Sequence, residues 1–126
     1  VRPSNKPLHS MQPVLHRPEV TQLQEAVDAV RVDRSLLEYV VALANASRRH
    51  ASLLHGLSPR GALSLSQAAR AWALMAGRDY VIPEDILENL LAVCGHRVVL
   101  RSTAAASPDA ADRVWREVLE SVPSPV

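Results

Sequence analysis

One stretch of the sequence has residue types and spacing suited to holding an anion: Gly56-Leu57-Ser58-Pro59-Arg60-Gly61, which leads into an alanine-rich helical run from Ala62 to Ala76. Ser58 is a helix N-cap by type, because its hydroxyl can accept from the free amides of a first turn, and Pro59 fits the N1 position, where no N–H is required. Arg60 then falls at N2. A cation there opposes the helix dipole by about 0.3–1 kcal/mol, so it is weakly unfavourable for folding and better suited to holding an anion beside the free amides. On spacing alone, a solvated Arg60 is the simpler reading, since local propensity is a weak guide. The rest of the chain has to decide between the two.

Other chemistry is scarce. There is no G-x-x-x-x-G-K-[ST] phosphate loop, no H-E-x-x-H and no pair of cysteines. Cys94 and His96 could supply two metal ligands, but two more at sensible spacing are missing, so no metal is expected. Ser58, Ser64 and Ser66 have no evident activating base, which argues against hydrolase chemistry. Trp72 and Trp115 fall on helical apolar faces and are expected in the core rather than as ligand platforms. Arg48, Arg49 and His50 end a helical run, where cations suit the dipole, and a structural reading is sufficient for them.

The chain that must position Arg60 has 126 residues, one ordinary domain able to bury a single core but short for a stand-alone enzyme with a cofactor fold. It is 48% hydrophobic, 3% aromatic and without Phe. That Leu, Val and Ala composition suits close-packed helices better than a β-sandwich. The formal charge is +1, and of fourteen basic residues only Lys6 is a lysine; near-neutrality argues against a dedicated nucleic-acid binder. The single Cys94 excludes an intramolecular disulfide framework and points to a reducing compartment. No apolar run approaches about 20 residues, so a soluble, cytoplasmic protein without membrane contact is expected.

Pro3, Pro7 and Pro13, with no helical period, make residues 1–17 an extended connector of the kind that follows another domain, with Leu8, Met11, Val14 and Leu15 able to pin it. Val20, Leu23, Ala26, Val27 and Val30 then share one helical face, predicting a helix at about 19–29. Val30-Arg31-Val32 alternates briefly. Asp33 caps a helix of about 34–49 whose Leu36, Leu37, Val40, Val41, Leu43 and Ala44 cover a broad apolar stripe. After a loop from Ala51 to Leu57, a helix of about 59–76 offers Ala62, Leu65, Ala68, Ala69, Trp72, Ala73 and Ala76 for close helix approach, with Gly77 as its C′ residue. Arg78 to Ile82 is a short connection that a buried Tyr80 and Val81 hold down.

Pro83 opens the next helix, with Glu84 and Asp85 in its first turn, Ile86, Leu87, Leu90, Leu91 and Val93 burying it, and Gly95 closing it. Ile82 at the N-cap offers no acceptor, a loss of about 1 kcal/mol that Asp85 can partly offset by reaching back. Val98 to Leu100 is too short to be a strand on its own, and Ser102 to Ser107 reads as a small-residue linker. A last helix of about 108–120 packs through Ala111, Val114, Trp115, Val118 and Leu119. The fold class is therefore all-α, an antiparallel bundle of about five helices over residues 18–121 with no substantial sheet, followed by a tail at 122–126.

Five blocks carry a family resemblance: Ala46-Ser47-Arg48; Gly56 to Ala62; Ala71 to Met75; Gly77-Arg78-Asp79-Tyr80-Val81-Ile82-Pro83-Glu84-Asp85-Ile86; and Gly95-His96-Arg97-Val98-Val99-Leu100. In this order they resemble the C-terminal lid of MoxR-type AAA+ ATPases. Gln12-Pro13-Val14-Leu15 and Leu23 to Val27 also resemble that family's entry from the ATPase core into the lid. The S-P-R-G and G-R-D-Y-V-x-P-E-D blocks are specific together, whereas either alone is weak. Ile82 stands where the family commonly has a capping Thr.

The resemblance implies a lid that packs on a separate α/β core carrying the P-loop and closes over the ATP and Mg bound there. Arg60 is then the sensor 2 residue directed at the phosphates, with Ser58, Pro59 and Gly61 forming its turn. A bidentate guanidinium suits that role because it neutralises developing phosphoryl charge and reports whether the γ-phosphate is present. Losing that contact on hydrolysis lets a lid rotate. The resemblance further implies a ring, usually hexameric, and a chaperone-like ATPase that remodels or activates partners, often with von Willebrand A domains. Arg48 also matches a family arginine.

The P-loop, the acidic metal-binding motif and the arginine finger are not among these residues, so the fragment alone is expected neither to hydrolyse ATP nor to carry a bound cofactor. The alternative is a free-standing helical adaptor or DNA-binding module with Arg48, Arg49 and Arg60 as a contact patch. On the lid reading, calorimetry with residues 1–126 finds ATP binding weak or absent; micromolar affinity overturns it.

Overall fold

The alanine-rich run becomes the helix on which the others lean. In the computed structural model, which describes residues 6–101 and 109–125, the order is α1 (Lys6–Ser10), α2 (Arg17–Asp28), α3 (Arg34–Arg49), β1 (Leu53–His55), α4 (Pro59–Met75), α5 (Pro83–Cys94), β2 (Val99–Leu100) and α6 (Ala110–Ser121). α4 packs against α2, α3 and, most extensively, α5, while α6 packs on α3. Side-chain size explains this arrangement: Gly61, Leu65, Ala69 and Ala73 recur every four residues on α4 and are all buried, so neighbouring backbones can approach closely. Leu43, Leu53, Leu57, Ile86, Leu90, Trp115 and Val118 complete a core without phenylalanine.

The all-α class holds, with one small sheet. Val99–Leu100 is a strand because it has a partner: Leu53 stands opposite Leu100 and His55 opposite Val99 in an antiparallel pair. The expected loop at 51–57 therefore supplies β1. The brief alternation at Val30–Val32 also finds a partner. Arg31 N–H donates to the Asp79 carbonyl and Val81 N–H to the Arg31 carbonyl, each at 2.9 Å, which ties the α2–α3 junction to the α4–α5 junction through buried Val30 and Val81.

Other expectations change. The connector is helical at Lys6–Ser10, and its first five residues lie outside the described ones, as do Ser102–Ser107. α2 begins at Arg17 because the Glu19 carboxylate accepts from His16 N–H at 3.1 Å, closing a first turn that tolerates Pro18. Its face is only lightly covered: Val20 and Leu23 are exposed, as are Leu37 and Val41 on α3 and Leu87 and Leu91 on α5. Trp72, 45% exposed, sits one step off the Gly61–Ala73 row and leaves the core to smaller residues. Trp115 is fully buried, and its Nε1 donates to the Cys94 carbonyl at 3.3 Å. Tyr80 is exposed as well; the backbone bridge and Val81, not the Tyr80 ring, hold the connection down.

α4 ends as glycine chemistry dictates. Gly77 takes φ +79°, its N–H donates to the Leu74 carbonyl, and Arg78 N–H donates to the Ala73 carbonyl, both at 2.9 Å, the two bonds of a Schellman closure. Arg78 then turns back to α5, where its Nη1 and Nη2 donate to the two carboxylate oxygens of Asp85, each at 2.7 Å. The same carboxylate accepts from Ile82 N–H at 2.9 Å, replacing the acceptor that Ile82 lacks. The Asp85 side chain is 2% exposed. Burial opposes its ionisation, but the Arg78 and Ile82 hydrogen bonds and the Arg78 charge outweigh burial and hold the carboxyl below its ordinary value.

A depressed carboxyl contributes stability that is complete above the unfolded aspartate pKa of about 3.9 and disappears as the pH falls through the lower folded value. Acid unfolding of Asp85→Asn should therefore show a shallower loss of stability below about pH 4 than the parent chain. At neutral pH, denaturant melts of Arg78→Ala should show a loss of about 2–4 kcal/mol, because a buried carboxylate is left unpaired.

Candidate functional site

The start of α4 is built by the last turn of α3. Ser47, fully buried, donates its hydroxyl to the Ala44 carbonyl at 2.6 Å and accepts from Leu57 N–H at 2.8 Å. Arg48 Nε donates to the Leu57 carbonyl at 2.9 Å, and its Nη1 donates to Asn45 Oδ1 at 2.9 Å. Both backbone groups of Leu57 are thus satisfied by neighbouring side chains of α3. Gly56 permits this approach, because a Cβ there would lie 2.6 Å from Arg48 Cα. The Leu57 side chain is fully buried and occupies the space that a Cβ on Gly61 would need.

On that base the predicted cap forms. Ser58 Oγ accepts from Gly61 N–H at 3.1 Å, and the Ser58 carbonyl accepts from Ala62 N–H at 3.0 Å. Since Pro59 has no N–H, the first turn leaves only the Arg60 amide without a partner among the described residues. The several free amides suggested by the sequence reduce to one. The Arg60 side chain is exposed and makes no hydrogen bond or ion pair with a described residue. No acidic residue occupies this first turn, so nothing local neutralises the guanidinium.

The other candidates fall away from this point. Arg48 is spent on Leu57 and Asn45, so the patch of Arg48, Arg49 and Arg60 is not three free cations. His50 instead faces α6: its Nδ1 accepts from Ser52 N–H at 3.1 Å, which leaves Nε2 to donate to Glu117 Oε2 at 2.6 Å. Cys94 is buried while His96 is exposed, and burial pushes the Cys94 thiol up to about 11 against the opposing charge of Arg97. Among the described residues no three His, Cys, Asp or Glu side chains converge on a metal position.

Two features were missed in the sequence. Ser47 lies on the apolar face of α3, and a hydroxyl there was a signal for a buried polar contact. A groove of about 430 Å³ runs between α3 and α4, where Leu37, Val41, Leu63 and Pro59 line it beside the start of α4. The broad apolar stripe on α3 was the signal, read as core instead of as an open face.

The AAA lid domain profile matches residues 45–118. The chain belongs to the AAA lid domain family. The match starts just before the Ser47–Arg48 clamp, so the clamp, the Arg60 turn and the α4–α5 hairpin all lie inside this lid. The lid is 38% identical over 120 residues to the protein YeaC of Bacillus subtilis, covering 95% of this chain and 38% of that protein. It is 36% identical over 121 residues to chaperone MoxR1 of Mycobacterium tuberculosis, covering 89% of this chain and 32% of MoxR1. Among solved structures, a candidate ATPase from Cytophaga hutchinsonii superposes with a TM-score of 0.82 at 26% identity, over 97% of the lid and 42% of that chain. These matches bear out the resemblance to MoxR-type lids. The lid spans less than half of each of these proteins. No helix among its described residues is long and apolar enough to cross a membrane.

Ser47→Ala removes the acceptor of a buried amide and should cost the lid about 1–3 kcal/mol. Urea unfolding measures this, and an unchanged midpoint would show that Leu57 N–H does not depend on the hydroxyl.

Proposed function

We propose that this lid closes over ATP held by the α/β core of a MoxR-type AAA+ ATPase and senses its phosphates through Arg60 as the sensor 2 residue. The single observation that carries the proposal is the contrast at the start of α4. Leu57, Ser58 and Gly61 around Arg60 are tied down, while its own guanidinium and amide have no partner among the described residues. A fixed backbone with an unpaired fork of donors fits a phosphate, whose oxygens accept bidentate hydrogen bonds.

The exposed apolar surface supports the same reading. Leu8, Met11 and Val14 of the connector are exposed, and the α3–α4 groove opens beside Pro59. Both suit a lid that packs on a preceding core. ATP and Mg belong to that core, and this lid supplies charge and closure rather than the P-loop. Loss of the γ-phosphate removes a contact made only in the ATP state, which gives the lid a reason to move on hydrolysis. The wider proposal follows the family: a ring, usually of six subunits, and a chaperone-like ATPase acting on partner proteins, of which von Willebrand A domain proteins are the expected class. The chaperone name carried by MoxR1 supports that direction.

In the full-length protein, Arg60→Ala should lower ATP turnover at least about tenfold, while the melting temperature of the lid stays within about 1 °C because the side chain is exposed. Steady-state ATPase assays and calorimetric melts on the same preparations test this. Parallel losses in both would make Arg60 a structural residue.

A further inference from the structure

Arg97, between α5 and β2, is exposed, yet two hydrogen bonds hold it and its stem lies near α4. Its N–H donates to the Cys94 carbonyl at 3.0 Å. Its Nε donates to the Val93 carbonyl at 2.9 Å. Its Cδ lies 3.5 Å from where a Cβ on Gly61 would stand. The first two contacts are what an arginine beyond a helix C-terminus ordinarily makes, since the last carbonyls there lack partners. The position of the stem is different, because it lies beside the place a side chain on Gly61, the residue that follows Arg60, would take in the first turn of α4.

Two side chains lie next to the place a side chain on Gly61 would take. Leu57, held by Ser47 and Arg48, fills the place a Cβ there would take, and the Arg97 stem lies beside that same place. Gly61 has no side chain of its own with which to keep its distance from α5. Its N–H is also the donor that Ser58 caps, so a shift of Gly61 moves both the cap and Arg60. We propose that Arg97 is the positioning residue for Arg60: it straps the C-terminal end of α5 over Gly61 and fixes the direction from which Arg60 meets a phosphate. The inference rests on the reading of Arg60 given above and adds a second arginine that acts through it.

A double-mutant cycle in the full-length protein separates the possibilities, with the ratio of ADP to ATP dissociation constants as the readout. Arg60→Ala should lower this ratio by about tenfold. Arg97→Ala should lower it several-fold, and Arg97→Lys, which keeps the stem over Gly61, should restore most of it. In the Arg60→Ala background, Arg97→Ala should change the ratio by less than about twofold, since it acts through a side chain already removed. Multiplying effects would make Arg97 an independent phosphate contact and overturn the positioning role. An altered ratio in Arg60→Ala beside an unaltered one in Arg97→Ala overturns this inference alone. An unaltered ratio in Arg60→Ala overturns the reading of Arg60 and this inference together. Arg97→Lys guards against a folding artefact, because a general loss of stability changes both affinities and leaves their ratio where it was.

Discussion

The peptide of Leu57 is the constraint on which the rest of the lid depends. A loop that enters the core must find partners for its backbone N–H and C=O, since leaving them buried and unpaired is costly. Here the ladder of a helix or sheet supplies neither; Ser47 and Arg48 on the last turn of α3 supply both. That solution demands close backbone approach, which Gly56 allows, and a gap on the facing helix, which Gly61 provides. The two sequence blocks around Ser47 and Ser58 are therefore one device. Its product is a helix start whose position is fixed before any ligand arrives.

The distribution of charge follows a similar economy. Arg78 is neutralised by Asp85, Arg48 is occupied by backbone and Asn45, and Arg34 pairs with Glu38 at 3.1 Å. Arg31 lies 3.7 Å from Asp79 at the bridge between the two helix junctions. These four arginines thus serve the architecture. Arg60 makes no such contact with a described residue, and its exposure matters because its neighbours Ser58 and Gly61 are held in place.

Much of the local structure was legible because it follows from single residues with strong preferences. Ser58 caps, Pro59 starts, Gly77 stops and Asp85 reaches back, each for reasons of backbone chemistry that no distant contact overrides. The strands were not legible, since Leu53–His55 and Val99–Leu100 are stable only as a pair brought together from distant parts of the chain. Helical faces were over-read for the same reason. Apolar periodicity shows that Leu37, Val41 and Leu23 want cover, but not whether this domain or another supplies it. Trp72 and Tyr80 are exposed because the adjacent Ala73 and Val81 fill the core instead, a choice between neighbouring positions that periodicity does not make. At the site, the positions of Ser58 and Arg60 were readable; the work of Ser47 and Arg48 was not, because each acts on Leu57, outside its own helix.

The shared carboxylate of Asp85 has a mechanical consequence. It holds the end of the α4–α5 turn through Arg78 and caps α5 through Ile82, so neither helix can pivot about that turn without breaking an ion pair shielded from water. A hinge is thereby removed, and the two helices become a stiff rod folded back on itself. A nudge delivered at the start of α4 is then carried about 25 Å along its 17 residues as rigid-body displacement, with little lost to bending on the way.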